Sequence, residues 1–67
     1  MKLLDHEGLR AKGITYSRAQ LWRLVKAGRF PGPIKIGAQR NAWVESEIDS
    51  WIEDRIAARD ANAGAAA

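Results

Sequence analysis

The segment Phe30-Pro31-Gly32-Pro33 constrains the fold of this chain more than any other. Proline lacks an amide hydrogen and biases the residue before it towards an extended conformation, so no helix can pass through these four residues. The chain has 67 residues and no cysteine, so it can form one small domain without disulfides or thiolate metal sites. We therefore expect helices before the break, a turn at it, and new elements after it.

Helix caps define two helices before the break. Asp5 is a candidate N-cap of a first helix that ends at Gly13. Ser17-Arg18-Ala19-Gln20 is a capping box that opens a second helix, which is predicted to run from about Arg18 to Ala27 and to stop at Gly28. Two helices joined by about four residues with a glycine at the corner have the outline of a helix-turn-helix.

A two-stranded hairpin is predicted after the break. Ile34-Lys35-Ile36 alternates apolar and polar residues, Gly37 to Arg40 is a candidate turn, and Asn41-Ala42-Trp43-Val44 can return as a second strand. In this pattern Lys35 points away from the two isoleucines, and Trp43 ends the returning strand as a core residue.

A third helix follows, with one apolar face made by Ile48, Trp51, Ile52 and Ile56. Ser46 and Asp49 are candidates for a second capping box, although the pattern leaves the start of this helix open. Trp51 is predicted to be a core residue. The alanine-rich end of the chain has nothing large to bury, so residues 60–67 are predicted to form a disordered tail.

This order of elements is helix, turn, helix, hairpin, helix. It predicts a mainly α fold with a small β-hairpin, the winged helix-turn-helix, over a single domain of residues 1–59.

The charges are strongly segregated along the chain. From Gly8 to Val44 there are eight lysines or arginines and no acidic residue. Residues 1–43 carry a net charge of +7 and residues 44–67 a net charge of −4, which combine to the overall +3. A basic stretch of one sign repels itself unless it meets a polyanion, so this pattern indicates nucleic-acid binding.

The second helix has a core face and an outward face. At 100° per residue, Leu21, Leu24 and Val25 point to the core. The outward face has Ala19, Trp22, Arg23 and Lys26, with Arg18 at one border and Gln20 at the other.

If this helix enters a major groove, Arg18 and Arg23 are candidates for bidentate guanine contacts and Lys26 for a phosphate contact. Trp22 has two interpretations: its ring covers the edge of the core, or it lies against sugar and phosphate.

The hairpin adds a second basic surface. Lys35 lies on the exposed strand face, and Gln39 and Arg40 lie in the turn, from which Arg40 can reach a minor groove. The candidate DNA-binding residues are Ser17, Arg18, Ala19, Trp22, Arg23, Lys26, Lys35, Gln39 and Arg40.

Other classes of function find little support in the sequence. His6 is the lone histidine, Ser17 fits no nucleophile motif, and no phosphate-binding or dinucleotide motif is present, so we expect neither an enzyme, a metal site nor a cofactor. His6 is expected to be an incidental surface residue. Met1-Lys2-Leu3-Leu4 is followed at once by charged residues and no apolar run is long enough to span a bilayer, so we expect a cytoplasmic protein with no membrane contact.

The run from Tyr16 to Gly37 resembles the signature of the AlpA-type prophage regulators. The match continues at Arg40, Trp43, Glu45-Ser46-Glu47-Ile48 and Trp51-Ile52, so the resemblance covers about residues 1–59. It implies a winged helix-turn-helix related to MerR-type domains and phage excisionases, with a recognition helix at residues 17–27 and a basic wing residue at Arg40. The chain departs from many relatives by having Trp22 where they have tyrosine, and by a longer connection from Gly13 to Ser17.

The sequence therefore predicts sequence-specific binding of double-stranded DNA by a prophage or mobile-element regulator. One alternative is a recombination directionality factor that bends DNA for an integrase, and other copies of this chain on adjacent sites are candidate partners in either case. An alternative of another class is a protein-interaction module whose acidic third helix docks on a basic partner.

Overall fold

The computed structural model describes the backbone of residues 1–66 and the side chains of residues 1–62. Its elements, in chain order, are β1 (Leu3–Leu4), α1 (His6–Ala11), α2 (Arg18–Lys26), β2 (Ile34–Gly37), β3 (Arg40–Val44) and α3 (Glu45–Ala66). Three helices and a small antiparallel sheet agree with the predicted mainly α fold with a hairpin, and are consistent with a small helix-turn-helix domain.

Side chains cap the first two helices where the sequence predicts. The Gly8 amide donates to Asp5 Oδ1 at 2.7 Å at the start of α1. In α2 the capping box is reciprocal: the Gln20 amide donates to Ser17 Oγ at 3.2 Å, and the Ser17 amide donates to Gln20 Oε1 at 3.1 Å. Amides that have no partner within the helix are thereby satisfied, which confirms both starts.

Both helices end at a glycine in the left-handed region. Gly13 has φ of 93° and Gly28 has φ of 72°, conformations that a side chain would strain. The residue after each glycine bonds back into the helix, Ile14 N–H to Leu9 O at 3.0 Å and Arg29 N–H to Leu24 O at 2.9 Å. This geometry is the Schellman motif, which reverses the chain sharply after each helix.

The sheet has the strand order β1-β3-β2 and is antiparallel throughout. The sequence did not predict β1. Its two residues, Leu3 and Leu4, pair with Val44 and Trp43 respectively. A strand of two residues has no periodicity of its own, so only its distant partner in the chain identifies it.

The hairpin is tighter than the sequence predicts. Gly37 pairs with Arg40, so Arg40 belongs to β3, and only Ala38 and Gln39 form the turn. The register shifts between Lys35 and Gly37, which leaves Ile36 as a bulge. The alternating pattern predicts that Lys35 points outwards and that both isoleucines lie on the opposite face. Every residue of β2 is exposed, so neither isoleucine is buried.

The apolar core draws on every part of the fold. Its buried members are Leu4, Leu9, Ile14, Leu21, Phe30, Trp43 and Ile48, and the partly buried Leu24, Val25, Trp51 and Ile52 pack against them. The predicted core face of α2 is therefore confirmed. Ile56 is 46% exposed, so its predicted place in the core is wrong, since α3 has passed the edge of the body by that turn.

Three aromatic rings join the helices to the hairpin. Phe30 lies edge-on to Trp51 at 4.9 Å and to Trp43 at 6.4 Å between ring centroids. The Trp51 indole donates to Arg29 O at 2.8 Å and the Trp43 indole donates to Pro31 O at 3.0 Å. The backbone on each side of Phe30 is thereby held by an indole, which sets the direction in which the chain leaves α2.

The third helix differs from the sequence prediction at its start. It begins at Glu45 directly after β3, so Ser46 lies inside its first turn and the predicted capping box of Ser46 and Asp49 is wrong. The helix is described as far as Ala66, and the disordered tail expected for residues 60–67 stays a prediction. Ala67 lies outside the described residues.

Over residues 1–66, none of the helices combines the length and the apolar character that crossing a membrane requires.

Candidate nucleic-acid interface

All nine candidate DNA-binding residues have exposed side chains. They belong to two neighbouring parts of the fold, α2 with its N-cap and the hairpin of β2 and β3. The Schellman turn at Gly28 and the indole bonds on either side of Phe30 hold these two parts in a defined relation. The structure thus shows where the predicted residues lie, and the role of each one in DNA binding stays a prediction.

An open groove of about 870 Å³ is lined by α2 and the hairpin and also by β1, α1 and the start of α3, whose lining residues include the acidic Asp5, Glu7 and Glu45. Four of the candidate residues line it, Arg18 and Trp22 from α2 and Gln39 and Arg40 from the hairpin. The other five, Ser17, Ala19, Arg23, Lys26 and Lys35, lie outside its lining. We call this space the helix–hairpin groove.

The helix α2 therefore presents two different surfaces. Arg18 and Trp22 stand on its groove side, where Val25 also lines the wall. Ala19, Arg23 and Lys26 form an exposed ridge outside the groove. Since residues advance by about 100° around a helix, Arg18 and Arg23 are about 140° apart, so they cannot point to the same contact.

Trp22 is not a core residue. Its side chain is 56% exposed, and it is absent from the apolar residues that pack against the core. The interpretation in which its ring covers the core edge is therefore not supported, and the contact with sugar and phosphate remains as the prediction.

Sequence reasoning missed the apolar part of the groove. Pro33 and Ile36 line it beside Trp22 and Val25, and Ile36 is 53% exposed. The alternating pattern of β2 favoured a buried isoleucine, and a bulge leaves no mark on that pattern. The exposure of Ile36 on β2 and of Trp22 on α2 is the signal that reveals this apolar surface.

His6 has a structural contact that the sequence did not indicate. Its Nε2–H donates to the Tyr16 carbonyl oxygen at 3.2 Å, since a carbonyl can only accept. The bond joins the start of α1 to the connection before α2, so His6 is not an incidental surface residue.

Lys12 is a basic residue whose charge is used within the fold. Its Nζ lies 2.8 Å from Asp49 Oδ1 and 3.3 Å from Glu45 Oε2 on α3. The hydrogen bond to Asp49 raises the pKa of Lys12, and the charges of both carboxylates act in the same direction. Two acidic residues of α3 thus form ion pairs with the C-cap residue of α1.

The cations of α2 and the hairpin are among those that remain available to an anion. Over the described side chains of residues 1–62, no ion pair includes Arg18, Arg23, Lys26, Lys35 or Arg40. All five lie on α2 or the hairpin, with nothing in the described part of the chain to offset their mutual repulsion.

Within the described residues, no three His, Cys, Asp or Glu side chains come together as a metal-binding group would require.

One family model and one phage protein match this chain. The family model described as "Prophage CP4-57 regulatory protein (AlpA)" matches residues 10–56, a segment that includes α2, the whole hairpin and the first half of α3. The chain is also similar to the "Uncharacterized protein ORF88" of Enterobacteria phage P4, with 37% identity over 43 residues. That alignment covers 64% of this chain and 49% of the phage protein, so the chain spans about half the length of this relative. No solved structure matches the chain.

Proposed function

This chain belongs to the AlpA family of prophage regulatory proteins, and on that premise we propose that it is a non-enzymatic winged helix-turn-helix protein that binds double-stranded DNA sequence-specifically. Its proposed role is to regulate genes of a prophage or another integrated element. In this assignment α2 is the recognition helix and the hairpin is the wing.

The observation that carries the proposal is the set of five cations without ion pairs on α2 and the hairpin. Isolated basic residues on a surface are ordinary. Lys12, the C-cap of α1, forms ion pairs with Glu45 and Asp49 of α3, whereas the cations of α2 and the hairpin have no such partner among the described side chains. A phosphate backbone supplies the missing negative charge, with release of counterions.

The ridge of α2 is suited to a major groove. Arg23 is placed to donate two hydrogen bonds to a guanine edge, and Lys26, one turn further on, to meet a phosphate. Arg40 begins β3 directly after the turn, where the negative potential of a neighbouring minor groove would attract its guanidinium to the phosphates that border that groove. Binding of the two grooves by one rigid body would fix the register of the protein on its site.

One copy of this domain covers little DNA, so tight binding would draw on several copies at adjacent sites. The same contacts would serve an excision factor that bends DNA for an integrase. The two roles differ in where the sites lie, and footprinting across the promoters and the integrase sites of the element separates them.

A salt titration tests the proposal directly. We expect the chain to bind an arbitrary duplex at low salt, with log affinity falling against log salt by a slope of about 3 to 4 if Arg18, Lys26, Lys35 and Arg40 each contact phosphate. Absence of binding at low salt, or an affinity that does not change with salt concentration, would contradict the proposal.

A protein-interaction module is the second candidate. Glu47, Trp51 and Asp54 line a separate groove of about 550 Å³ between α3 and the residues around Phe30, which a cationic segment would fit. A double substitution, Glu47→Gln with Asp54→Asn, should leave DNA affinity unchanged or slightly improved. If the wild-type chain fails to bind DNA, this groove becomes the leading surface.

A further inference from the structure

The helix–hairpin groove has a mixed lining of exposed apolar side chains and charged groups. Trp22, Pro33 and Ile36 line it together with Arg18 and Arg40. The exposures of Trp22 at 56% and Ile36 at 53% are large for apolar side chains. Neither residue contributes to the core, so the fold itself gives no reason for this apolar surface.

The geometry of duplex DNA indicates what such a groove would hold. Adjacent major and minor grooves are separated by a single sugar–phosphate strand. If α2 lies in one groove and the hairpin in the next, as in the proposed function on which this inference rests, the space between them faces that strand and no base edge.

The chemistry of the strand matches the lining. A DNA backbone alternates apolar deoxyribose with anionic phosphate, and the part of the groove lining on α2 and the hairpin combines an indole and an isoleucine with two guanidinium groups. Arginine binds phosphate by two parallel hydrogen bonds, and an aromatic ring packs on a sugar face. The bulge at Ile36 matters here, because it turns that side chain out of the regular strand pattern.

We infer that the helix–hairpin groove holds one sugar–phosphate strand of the duplex, with Arg18 and Arg40 on phosphates and Trp22 and Ile36 on deoxyribose. This assignment separates Arg18 from Arg23. Arg23 stands on the ridge and reads bases, whereas Arg18, predicted from the sequence as a guanine contact, contacts the backbone. Trp22 contributes affinity that is independent of base sequence.

Fluorescence anisotropy with a panel of unrelated duplexes, and with one duplex selected for tight binding from a random pool, tests the inference. Arg18→Gln and Arg40→Gln should each weaken binding about equally on every duplex and reduce the salt slope by about 1. Trp22→Ala should weaken binding about tenfold on every duplex and leave the salt slope unchanged. Trp22→Phe, which keeps an aromatic face, should recover most of that loss.

Two controls accompany these variants. Arg55→Gln removes an exposed cation of α3 that lies outside the groove lining, and should leave affinity and salt slope close to those of the wild-type chain. Thermal melting of the Trp22 variants should match the wild type, since Trp22 is not part of the core.

The inference is overturned if Arg18→Gln leaves the salt slope unchanged and alters preference at one base pair, or if Trp22→Ala changes sequence preference. In either case the wild-type chain still binds DNA, so the proposed function stands and only the backbone assignment fails. Failure of the wild-type chain to bind any duplex at low salt removes both.

Discussion

Trp51 donates a hydrogen bond of 2.8 Å from its indole nitrogen to the carbonyl oxygen of Arg29. Arg29 is the second residue after Ala27, the C-cap of α2. The bond joins α3 to the point where the chain turns away from α2. Trp43 makes the equivalent bond to Pro31 from the sheet side at 3.0 Å, with Phe30 between the two rings. The relation between α2 and the hairpin therefore depends on two indole N–H groups as well as on apolar contact.

Replacing each tryptophan by phenylalanine should separate the two bonds. Trp43→Phe leaves the Pro31 carbonyl without its partner in a part-buried place, and should lower the free energy of unfolding by about 1 to 3 kcal/mol. Trp51→Phe should cost less, about 0.5 to 1.5 kcal/mol, because its bond is exposed and water can replace it. Urea unfolding measures both, with the exposed Trp22→Phe as a control that should stay within about 0.5 kcal/mol. Equal losses for all three would mean that the indole bonds contribute nothing particular.

The cap of α2 should be sensitive to a single hydroxyl. Ser17→Ala removes the acceptor for the Gln20 amide and should lower the free energy of unfolding by about 1 kcal/mol. Ser46→Ala is the matched control, since Ser46 lies inside the first turn of α3 and caps nothing. Denaturant titration of the two variants checks this, and a larger loss for Ser46→Ala would restore the capping role that its sequence suggested.

Gly28 should not tolerate a side chain. Its φ of 72° is left-handed, so Gly28→Ala should lower the free energy of unfolding by about 1 to 2 kcal/mol although the space around it is open. Gly32 does not have a positive φ, and an added Cβ would make only ordinary contact with Val25 at 3.9 Å, so we expect Gly32→Ala to change the free energy of unfolding by no more than about 1 kcal/mol. Thermal melts of both variants make the comparison, and similar losses at the two glycines would count against backbone strain at Gly28.

The contacts of Lys12 predict a dependence on pH. Its pKa is raised in the folded protein by Asp49 and Glu45, so its stabilising contribution is complete below the ordinary value of 10.5 and is lost as pH rises through the raised value. Lys12→Gln should melt at a lower temperature than the wild type at neutral pH, and the difference should shrink above pH 10.5. A difference that stays constant across this range would assign the effect to something other than the charge of Lys12.

Arg23 should decide sequence preference. Arg23→Ala is expected to cost about 1 to 3 kcal/mol on a selected duplex and to relax preference at one base pair. Lys26→Ala, one turn further along the same ridge, should weaken binding evenly across sequences. Anisotropy titrations on matched and single-base-changed duplexes make the comparison. An even loss from Arg23→Ala would instead make it a phosphate contact.

Most of the helical part of this fold could be predicted from the sequence. Asp5, Ser17, Gly13 and Gly28 act on backbone groups only a few residues away, so their effect is visible in a short window. The core face of α2 followed from periodicity for the same reason. The start of α3 could not be placed, because the helix begins directly after the last paired residue of β3, and that pairing depends on the tertiary structure.

The sequence predicted the residues of the candidate site, but the structure groups them differently. Helical periodicity assigned Arg18 and Arg23 to one outward face of α2 and Arg40 to a separate surface of the hairpin. The structure brings Arg18 to the same groove as Arg40 and leaves Arg23 on the ridge.

The sequence by itself determined where α1 and α2 begin and end, where the chain must turn, and which stretch is basic, because each of these depends on neighbours within a few residues. Only the tertiary structure decided that Leu3 and Leu4 form a strand, that Ile36 is exposed at a bulge, and that Lys12 is neutralised by α3. Those outcomes depend on pairings between distant residues, and local sequence carries no record of which distant partner will be in contact.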